Sequence, residues 1–193
     1  MGCDKALLSF AGQTLLERSL HILQAAGLTA SIAGGAPELA RFAPLLADAQ
    51  PDLGPLSGIC AALAHCPAPL AVFLPVDLPL LPPELVRALV NHAQATQAPV
   101  TLASLDGFVE SFPVVLRRES LDALQTALAS AQRGCLRGFQ AAAASLGQAL
   151  AVQAAESLVE QVASGLPPAA WFLNVNRAED FERARQHFSA PIP

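Results

Sequence analysis

One short segment constrains the fold of this chain more than any other. An apolar run from Ala71 to Pro75 leads to Asp77, and prolines follow at once. Such a run is typical of a buried parallel strand, which would place the aspartate at the sheet edge where open α/β folds bind ligands. A carboxylate on a proline-stiffened turn there could hold a divalent cation against a nucleotide's phosphates. A plainer interpretation stays open, in which Asp77 only turns the loop and caps a helix that begins at Pro83.

Composition indicates one domain without a membrane segment. The chain has 193 residues, of which 53% are hydrophobic, enough for a sizeable core. We expect a single domain over residues 1–188 and a frayed tail over residues 189–193. No apolar stretch reaches the roughly 18 residues of a membrane span, and the first residues lack a basic and then apolar leader. The sequence therefore predicts a cytoplasmic protein with no membrane partner.

The net charge and the positions of the cysteines and histidines exclude several function classes. A net charge of −5 with only 11 Lys and Arg argues against a nucleic-acid partner. A small phosphorylated ligand is not excluded, because it needs only one or two local cations. The cysteines (Cys3, Cys60, Cys66 and Cys135) form no CxxC pair, so we expect reduced thiols and no zinc site. The four histidines fall in no arrangement that supports a hydrolase triad.

The order of predicted elements gives the fold class. Strand and helix alternate, which predicts an α/β fold of the Rossmann-like, doubly wound type, with a mostly parallel sheet and helices on both faces. Strands are expected at Leu28 to Ala33, Pro69 to Pro75 (as the central strand), Pro99 to Leu105, Phe108 to Leu116, Ala149 to Val152 and Trp171 to Val175. Helices are expected at Thr14 to Ala26, Pro37 to Leu46, Gly58 to His65, Pro83 to Thr96, Ser120 to Ala131, Leu136 to Ala144 and Ala178 to Phe188. The first helix has no buried strand before it, although doubly wound domains usually begin with one.

Two segments in the first half of the chain resemble motifs of one nucleotide-binding family. The run MGCDKALL, which ends at Leu8, resembles an MGxDKxLL segment at the end of a nucleotide-binding loop. Asp48 followed by GPLSG, from Gly54 to Gly58, resembles an Asp…GPLxG segment.

Two further segments complete the resemblance. PVDLP from Pro75 to Pro79, followed by two prolines, resembles a PCDxPxxPP metal segment with Val76 in place of the cysteine. FLNVN, which ends at Asn176 and is followed by Glu179 and Asp180, resembles an F-x-N-V-N-x-x-E-[DE] motif. With all four segments in this order, the chain resembles the molybdenum cofactor guanylyltransferases (MobA-like).

The resemblance implies an activity, a cofactor and partners. Members of this family move GMP from GTP onto the phosphate of molybdopterin with Mg²⁺ and release pyrophosphate. Catalysis of such transfer rests mainly on positioning and charge neutralisation. The implied partners are GTP and molybdopterin, followed by molybdoenzymes or their chaperones.

The resemblance also implies roles for charged residues. Lys5 would place a cation beside the nucleotide, Asp77 would be the Mg²⁺ ligand, and Asp48 would hold the guanosine end. The alternatives are a surface lysine for Lys5 and a loop aspartate for Asp48. Glu110 and Pro113 lie where the family often has a polar-x-x-Pro step, which indicates a further pterin contact.

Glycines and amides complete the expected site. Gly54 and Gly58 would let the backbone approach the nucleotide closely, although a plain turn and helix start would also explain them. Asn174 and Asn176 would present amides to the pterin, because alternation along a strand places both on one face. Their alternative role is turn and N-cap chemistry for the last helix.

The sequence departs from the family at its beginning. Members normally start with an apolar strand and a LAGGxSxR-like loop before MGxDK, and this sequence contains neither, so the fold is expected with its first strand missing. Either the true start lies upstream or the protein is a short form that has lost transfer; we favour the first, because Lys5, Asp77, Asn174 and Asn176 are in place. Loss of one preorganised donor costs roughly 10²–10³ in rate elsewhere, so the chain as written should transfer poorly.

Two alternative functions stay open. The protein could be the related cytidylyltransferase, or a nucleotidyltransferase with another acceptor, since base choice depends largely on the segment that is absent. It could also be a non-catalytic protein that binds molybdopterin and delivers it to a partner.

Overall fold

The computed structural model describes residues 4–46, 54–130, 134–163 and 165–189. In chain order the strands are β1 (Ser9–Phe10), β2 (Gln13–Thr14), β3 (Ile32–Ala33), β4 (Leu45–Leu46), β5 (Leu70–Phe73), β6 (Val100–Leu105), β7 (Phe108–Arg117) and β8 (Ala151–Ala154). The α-helices are α1 (Leu15–Ala25), α2 (Pro55–His65), α3 (Pro83–Thr96), α4 (Leu121–Ala129), α5 (Cys135–Ser145), α6 (Pro168–Trp171) and α7 (Ala178–Ser189). Short 3₁₀ segments cover Lys5–Leu7, Pro37–Arg41, Arg118–Ser120 and Ala155–Gln161.

The largest sheet has four strands in the order β5-β7-β6-β8. β8 pairs parallel with β6, whereas β7 lies antiparallel between β5 and β6, so β5, β6 and β8 share one direction. The predicted α/β class is confirmed; where a mostly parallel sheet was expected, the sheet is mixed. β7 is antiparallel because a two-residue turn, Asp106 and Gly107 with φ of +50° and +80°, joins it to β6. Positive φ at both positions is the geometry of a tight hairpin.

Helices cover both faces of this sheet, as predicted. On one face the buried residues of α3, such as Leu85 and Leu89, pack with Ala103 and Val115 of the sheet. On the other face α2, α4 and α5 pack against neighbouring strand positions, including Leu102. Because successive strand residues point to opposite faces, the apolar strands supply both cores.

β5 has an unusual position for so apolar a strand. Leu70 and Val72 pack toward the α3 side and Ala71 and Phe73 toward the α2 side, yet all four stay half-buried. The apolar run predicts a central strand, whereas in the described part of the chain β5 is one of the two edge strands of the four. β3 and β4 form a separate parallel pair. The absence of a first strand, inferred from the family resemblance, stays a prediction.

Several predicted boundaries need correction. Leu45 and Leu46 are a strand and not the end of a helix, because the backbone of Ile32 and Gly34 bonds to this segment (Ile32 N to Pro44 O 2.8 Å, Gly34 N to Leu46 O 2.9 Å). Helix α2 begins at Pro55, three residues before the predicted start, since proline at the first helical position is favourable.

The segment around Trp171 was also wrongly predicted. It is not a strand: residues 168–171 form the short helix α6, and residues 172–177 have no regular structure. The Trp171 side chain is fully buried, and its indole N–H donates to the carbonyl of Leu166 at 3.0 Å. Burial of this ring explains the apolar run, which resembles a strand in sequence.

The described helices include none that is both long enough and apolar enough to cross a membrane. The thiols of Cys60, Cys66 and Cys135 are free. Cys60 is only 5% exposed, and burial raises the pKa of its thiol to about 11.

The buried thiol of Cys60 should react slowly. At pH 8 only about one Cys60 thiol in a thousand would be the reactive thiolate, because this pH lies about three units below the pKa of the thiol. We expect iodoacetamide, followed by peptide mass spectrometry, to label the more exposed Cys66 well before Cys60 in the native protein. After denaturation both should label alike. Equal native rates would contradict the burial of Cys60.

Candidate active site

The first component of the site is the loop that follows β5. Three of its leucines, Leu78, Leu80 and Leu81, are 2–5% exposed and anchor the loop in the core. Arg18 of α1 donates from Nε to the carbonyl of Pro79 in the same loop. These contacts fix the Asp77 carboxylate, whose side chain stays 20% exposed, at the carboxyl end of β5.

The second component is Lys5, the only lysine in the sequence. It begins a 3₁₀ turn whose N-cap is Asp4, where the side chain accepts from the backbone N–H of Ala6 at 3.0 Å. The Lys5 ammonium donates to Asp77 Oδ2 at 2.8 Å, and the two side chains are 33% and 20% exposed. A partly exposed pair of this kind contributes about 0–1 kcal/mol, so a stronger ligand can displace it.

The third component is the Asn174–Val175–Asn176 segment. Val175 is fully buried, and its N–H donates to the backbone carbonyl of Asp77 at 2.9 Å. The side chain of Asn176 accepts from the Lys5 ammonium and donates from Nδ2 to Asn174 Oδ1 at 2.8 Å. Residues distant in sequence therefore form one hydrogen-bonded chain, from Asp77 through Lys5 and Asn176 to Asn174.

These contacts bear on the alternatives left open by the sequence. Helix α3 has Pro82 at its N-cap and no side-chain cap, so Asp77 does not cap it. Asn176 directs its amide to Lys5 and Asn174, and it is Asp180 that accepts from backbone N–H groups at the start of α7. Lys5 is partnered and is not a free surface lysine. The two amides meet although their segment is not the strand that was expected.

The remaining predicted residues have separate positions. Gly54 is exposed at the N-terminus of α2 with a φ of +78°, a conformation that favours glycine, and a Cβ there would meet nothing within 4 Å. Gly58 lies inside α2. Asp48 lies outside the described residues. Contact of these three with a nucleotide stays a prediction.

Glu110 lies at the same end of the sheet as Asp77. Phe73 pairs with Val114, and the antiparallel register places Glu110 beyond that pair, at the end of the sheet where β5 finishes. Burial raises the pKa of the Glu110 carboxyl. This position is compatible with the predicted pterin contact, which stays a prediction.

The donor set fits one particular kind of metal site. Within the described residues there is no cluster of three or more His, Cys, Asp or Glu side chains that could hold a metal ion. Asp77 supplies one carboxylate, with the amide oxygens of Asn174 and Asn176 in the same hydrogen-bonded chain. Mg²⁺ is commonly held by one or two carboxylates and completed by substrate phosphates and water. The residues present fit such a site and do not form a closed protein cage.

Two residues that hold this site together, Arg18 and Asp180, could not be assigned to it from the sequence. Arg18 looked like a polar position on an amphipathic helix, and its bond to a loop carbonyl 61 residues away has no local signal. Asp180 was visible only as the last position of a motif, without a role. Bonds from a side chain to distant or irregular backbone leave no periodic pattern in sequence.

Comparison with known proteins gives the family. A family model described as a MobA-like NTP transferase domain matches residues 1–146. A molybdenum cofactor guanylyltransferase from Xanthomonas euvesicatoria pv. vesicatoria (strain 85-10) is 41% identical over 96 residues, which are 49% of this chain and 49% of that protein. The match thus spans about half the length of that curated relative.

Solved structures show the same fold. Molybdopterin-guanine dinucleotide biosynthesis protein A from Archaeoglobus fulgidus superposes with a TM-score of 0.77 at 21% identity, over 97% of this chain and 92% of that chain. The manganese complex of Rv0371C from Mycobacterium tuberculosis H37Rv superposes with a TM-score of 0.62 at 21% identity, over 96% and 93%. Because the family model covers more than half of the residues of this chain, the chain belongs to the family of MobA-like NTP transferase domains.

Proposed function

We propose that this protein is a nucleotidyltransferase that moves GMP from GTP to the phosphate of molybdopterin. The observation that carries the proposal is the hydrogen-bonded chain from Asp77 through Lys5 and Asn176 to Asn174. It joins a carboxylate, a cation and two amides, from three separate segments, at the ligand-binding edge of an α/β sheet. The guanylyltransferase name of the curated relative supports GTP as the donor.

Asp77 is the proposed Mg²⁺ ligand. Its partly exposed carboxylate is an oxygen donor suited to a hard cation. Bound there, Mg²⁺ would neutralise charge on the triphosphate and on the departing pyrophosphate. The manganese complex of a structural neighbour is consistent with a divalent cation in this fold.

Lys5 is the proposed phosphate ligand. Its ammonium already lies 2.8 Å from the carboxylate that would hold the cation, so it can donate to phosphate oxygens of the same nucleotide. In an acidic chain with a net charge of −5, this single lysine supplies local positive charge for an anionic substrate. Such neutralisation is the main protein contribution to phosphoryl and nucleotidyl transfer.

Asn174 and Asn176 are proposed to orient the acceptor. Both are exposed, and among the described contacts the Nδ2 donor of Asn174 has no hydrogen-bond partner. An oxygen of the molybdopterin phosphate would attack the α-phosphorus of GTP and form a new P–O bond. The bond from the α-phosphorus to the bridging oxygen breaks, and the electron pair leaves with pyrophosphate. The proposed location is the cytoplasm, with molybdoenzymes or their chaperones as recipients.

Parallel binding and transfer assays test this function. We expect isothermal titration calorimetry with Mg²⁺ to give tighter binding of GTP than of CTP. We expect GTP radiolabelled at the α-phosphate to give labelled molybdopterin slowly, with release of unlabelled pyrophosphate. Transfer at a normal rate would contradict the predicted impairment but support the function. Tighter binding of CTP would favour the cytidylyltransferase. Binding of molybdopterin without any binding of GTP would favour the delivery protein.

Replacement of Asp77 by Asn should abolish the Mg²⁺ dependence of GTP binding. The amide keeps the shape of the side chain but removes the negative charge that holds the cation. Calorimetry with and without Mg²⁺ measures the effect. The melting temperature should change little, because the lost ion pair with Lys5 is worth about 1 kcal/mol or less.

The matched control for this experiment is D122N. Asp122 is an exposed carboxylate in the first turn of α4, close to Pro69 at the opposite end of β5. We expect D122N to bind GTP with unchanged affinity and Mg²⁺ dependence. If D77N kept Mg²⁺-dependent binding while D122N behaved as expected, Asp77 would not be the metal ligand.

Replacement of Lys5 by Ala should weaken GTP binding by roughly 10–100-fold, because a hydrogen bond to a charged group is worth about 1.5–3 kcal/mol. K5R keeps the charge in a different shape and should lose less affinity. The dissociation constants for GTP, measured at one ionic strength, give the comparison. An unchanged affinity in K5A would remove Lys5 from the phosphate site.

A further inference from the structure

Asp180 binds the backbone that carries the site amides. It lies in the first turn of α7, and its side chain is only 14% exposed. Oδ2 accepts from the N–H of Asn176 at 3.0 Å and from the N–H of Arg177 at 2.9 Å, while Oδ1 accepts from the guanidinium of Arg183. Both oxygens are therefore engaged, and the carboxylate has little freedom to rotate.

The backbone around Asn176 is not held by the hydrogen bonds of a helix or a strand. Residues 172–177 belong to neither helix nor strand. Buried Val175 fixes one side of Asn176 through its bond to the Asp77 carbonyl, and Asp180 fixes Asn176 itself. Two anchors on adjacent residues determine where the Asn176 amide points.

The charge of Asp180 suits this role. Hydrogen bonds from the N–H groups of Asn176 and Arg177, and then from Arg183, hold the pKa of its carboxyl below the usual range. The group is ionised and purely an acceptor at neutral pH. Charge-assisted bonds of this type are roughly twice as strong as neutral ones.

We propose that Asp180 is a positioning residue of the site, which fixes Asn176 and, through the Asn176 amide, the Lys5 ammonium. Its importance for GMP transfer rests on the function proposed above, but the geometric claim does not. The competing role is helix capping alone, since a side chain at this position often accepts from the N-cap N–H. Capping alone would stabilise α7 and leave Lys5 unaffected.

The single lysine permits a direct measurement. Protein grown with ¹³C,¹⁵N-lysine gives one set of lysine side-chain NMR signals, all from Lys5, and the signal to follow is that of its ammonium nitrogen. We expect D180A to shift this signal in the same direction as N176A. D180N keeps an oxygen acceptor of the same shape, so its shift should be smaller. The control E179Q changes the adjacent exposed carboxylate, for which no hydrogen bond is present in the described structure, and should leave the signal unchanged.

A double variant separates action through Asn176 from any other route. If Asp180 acts through Asn176, D180A should add no further Lys5 shift in an N176A background. A further shift there would overturn the proposal. The proposal would also be overturned if D180A lowered the melting temperature while the Lys5 signal stayed at its wild-type position. If D180A does not fold, the same result with D180N would overturn it.

The outcome is independent of the proposed function, because these spectra are recorded without nucleotide. Failure of GTP binding would remove the proposed function and leave the Asp180 result standing. If both hold, D180A should weaken Mg²⁺-dependent GTP binding by about the same factor as N176A.

Discussion

The site depends on how the Asp77 loop is held. The three leucines that follow Asp77 in this loop are buried in the core, and Arg18 and Val175 each donate a hydrogen bond to one of its carbonyls. Burial of three leucines represents several kcal/mol of hydrophobic stabilisation, at about 1.5–3 kcal/mol for each fully buried side chain. That is much larger than the ion pair between Lys5 and Asp77. The strong interactions therefore fix the backbone, and the weak contacts between the functional groups can be replaced by contacts with a ligand.

This division of roles matches the demands of nucleotide transfer. An anionic substrate needs a cation and a carboxylate that are prepositioned but not permanently satisfied by one another. Lys5 and Asp77 meet that condition because each is about a fifth to a third exposed. Asn176 contacts both Lys5 and Asn174, so the donor and acceptor sides of the proposed reaction share one hydrogen-bonded chain.

The sequence predicts the site best where residue identity carries the chemistry. Asp77 after an apolar run and Lys5 beside an aspartate were found because their motifs are local, and the structure brings them together. Helix α3 was predicted with its observed ends, Pro83 and Thr96, because proline marks its start and its apolar positions repeat with helical spacing.

Local sequence patterns give the wrong secondary structure where tertiary contacts override them. The apolar residues around Trp171 resemble a strand, but burial of the indole against Leu166 fixes a short helix instead. The local sequence predicts a helix through Leu45 and Leu46, but their pairing with Ile32 and Ala33 makes them a strand. Asp180 could be seen as an acid near a helix start, but its link to Lys5 requires the path of the backbone.

The position of β5 has a consequence for how this strand is held. Its side chains are packed on both faces, and along one edge its backbone pairs with β7. No other strand of the described residues pairs with it, so its main-chain hydrogen bonds to the described sheet all come from that one edge. The strand that delivers Asp77 to the site is thus positioned by the two apolar cores together with its pairing to β7.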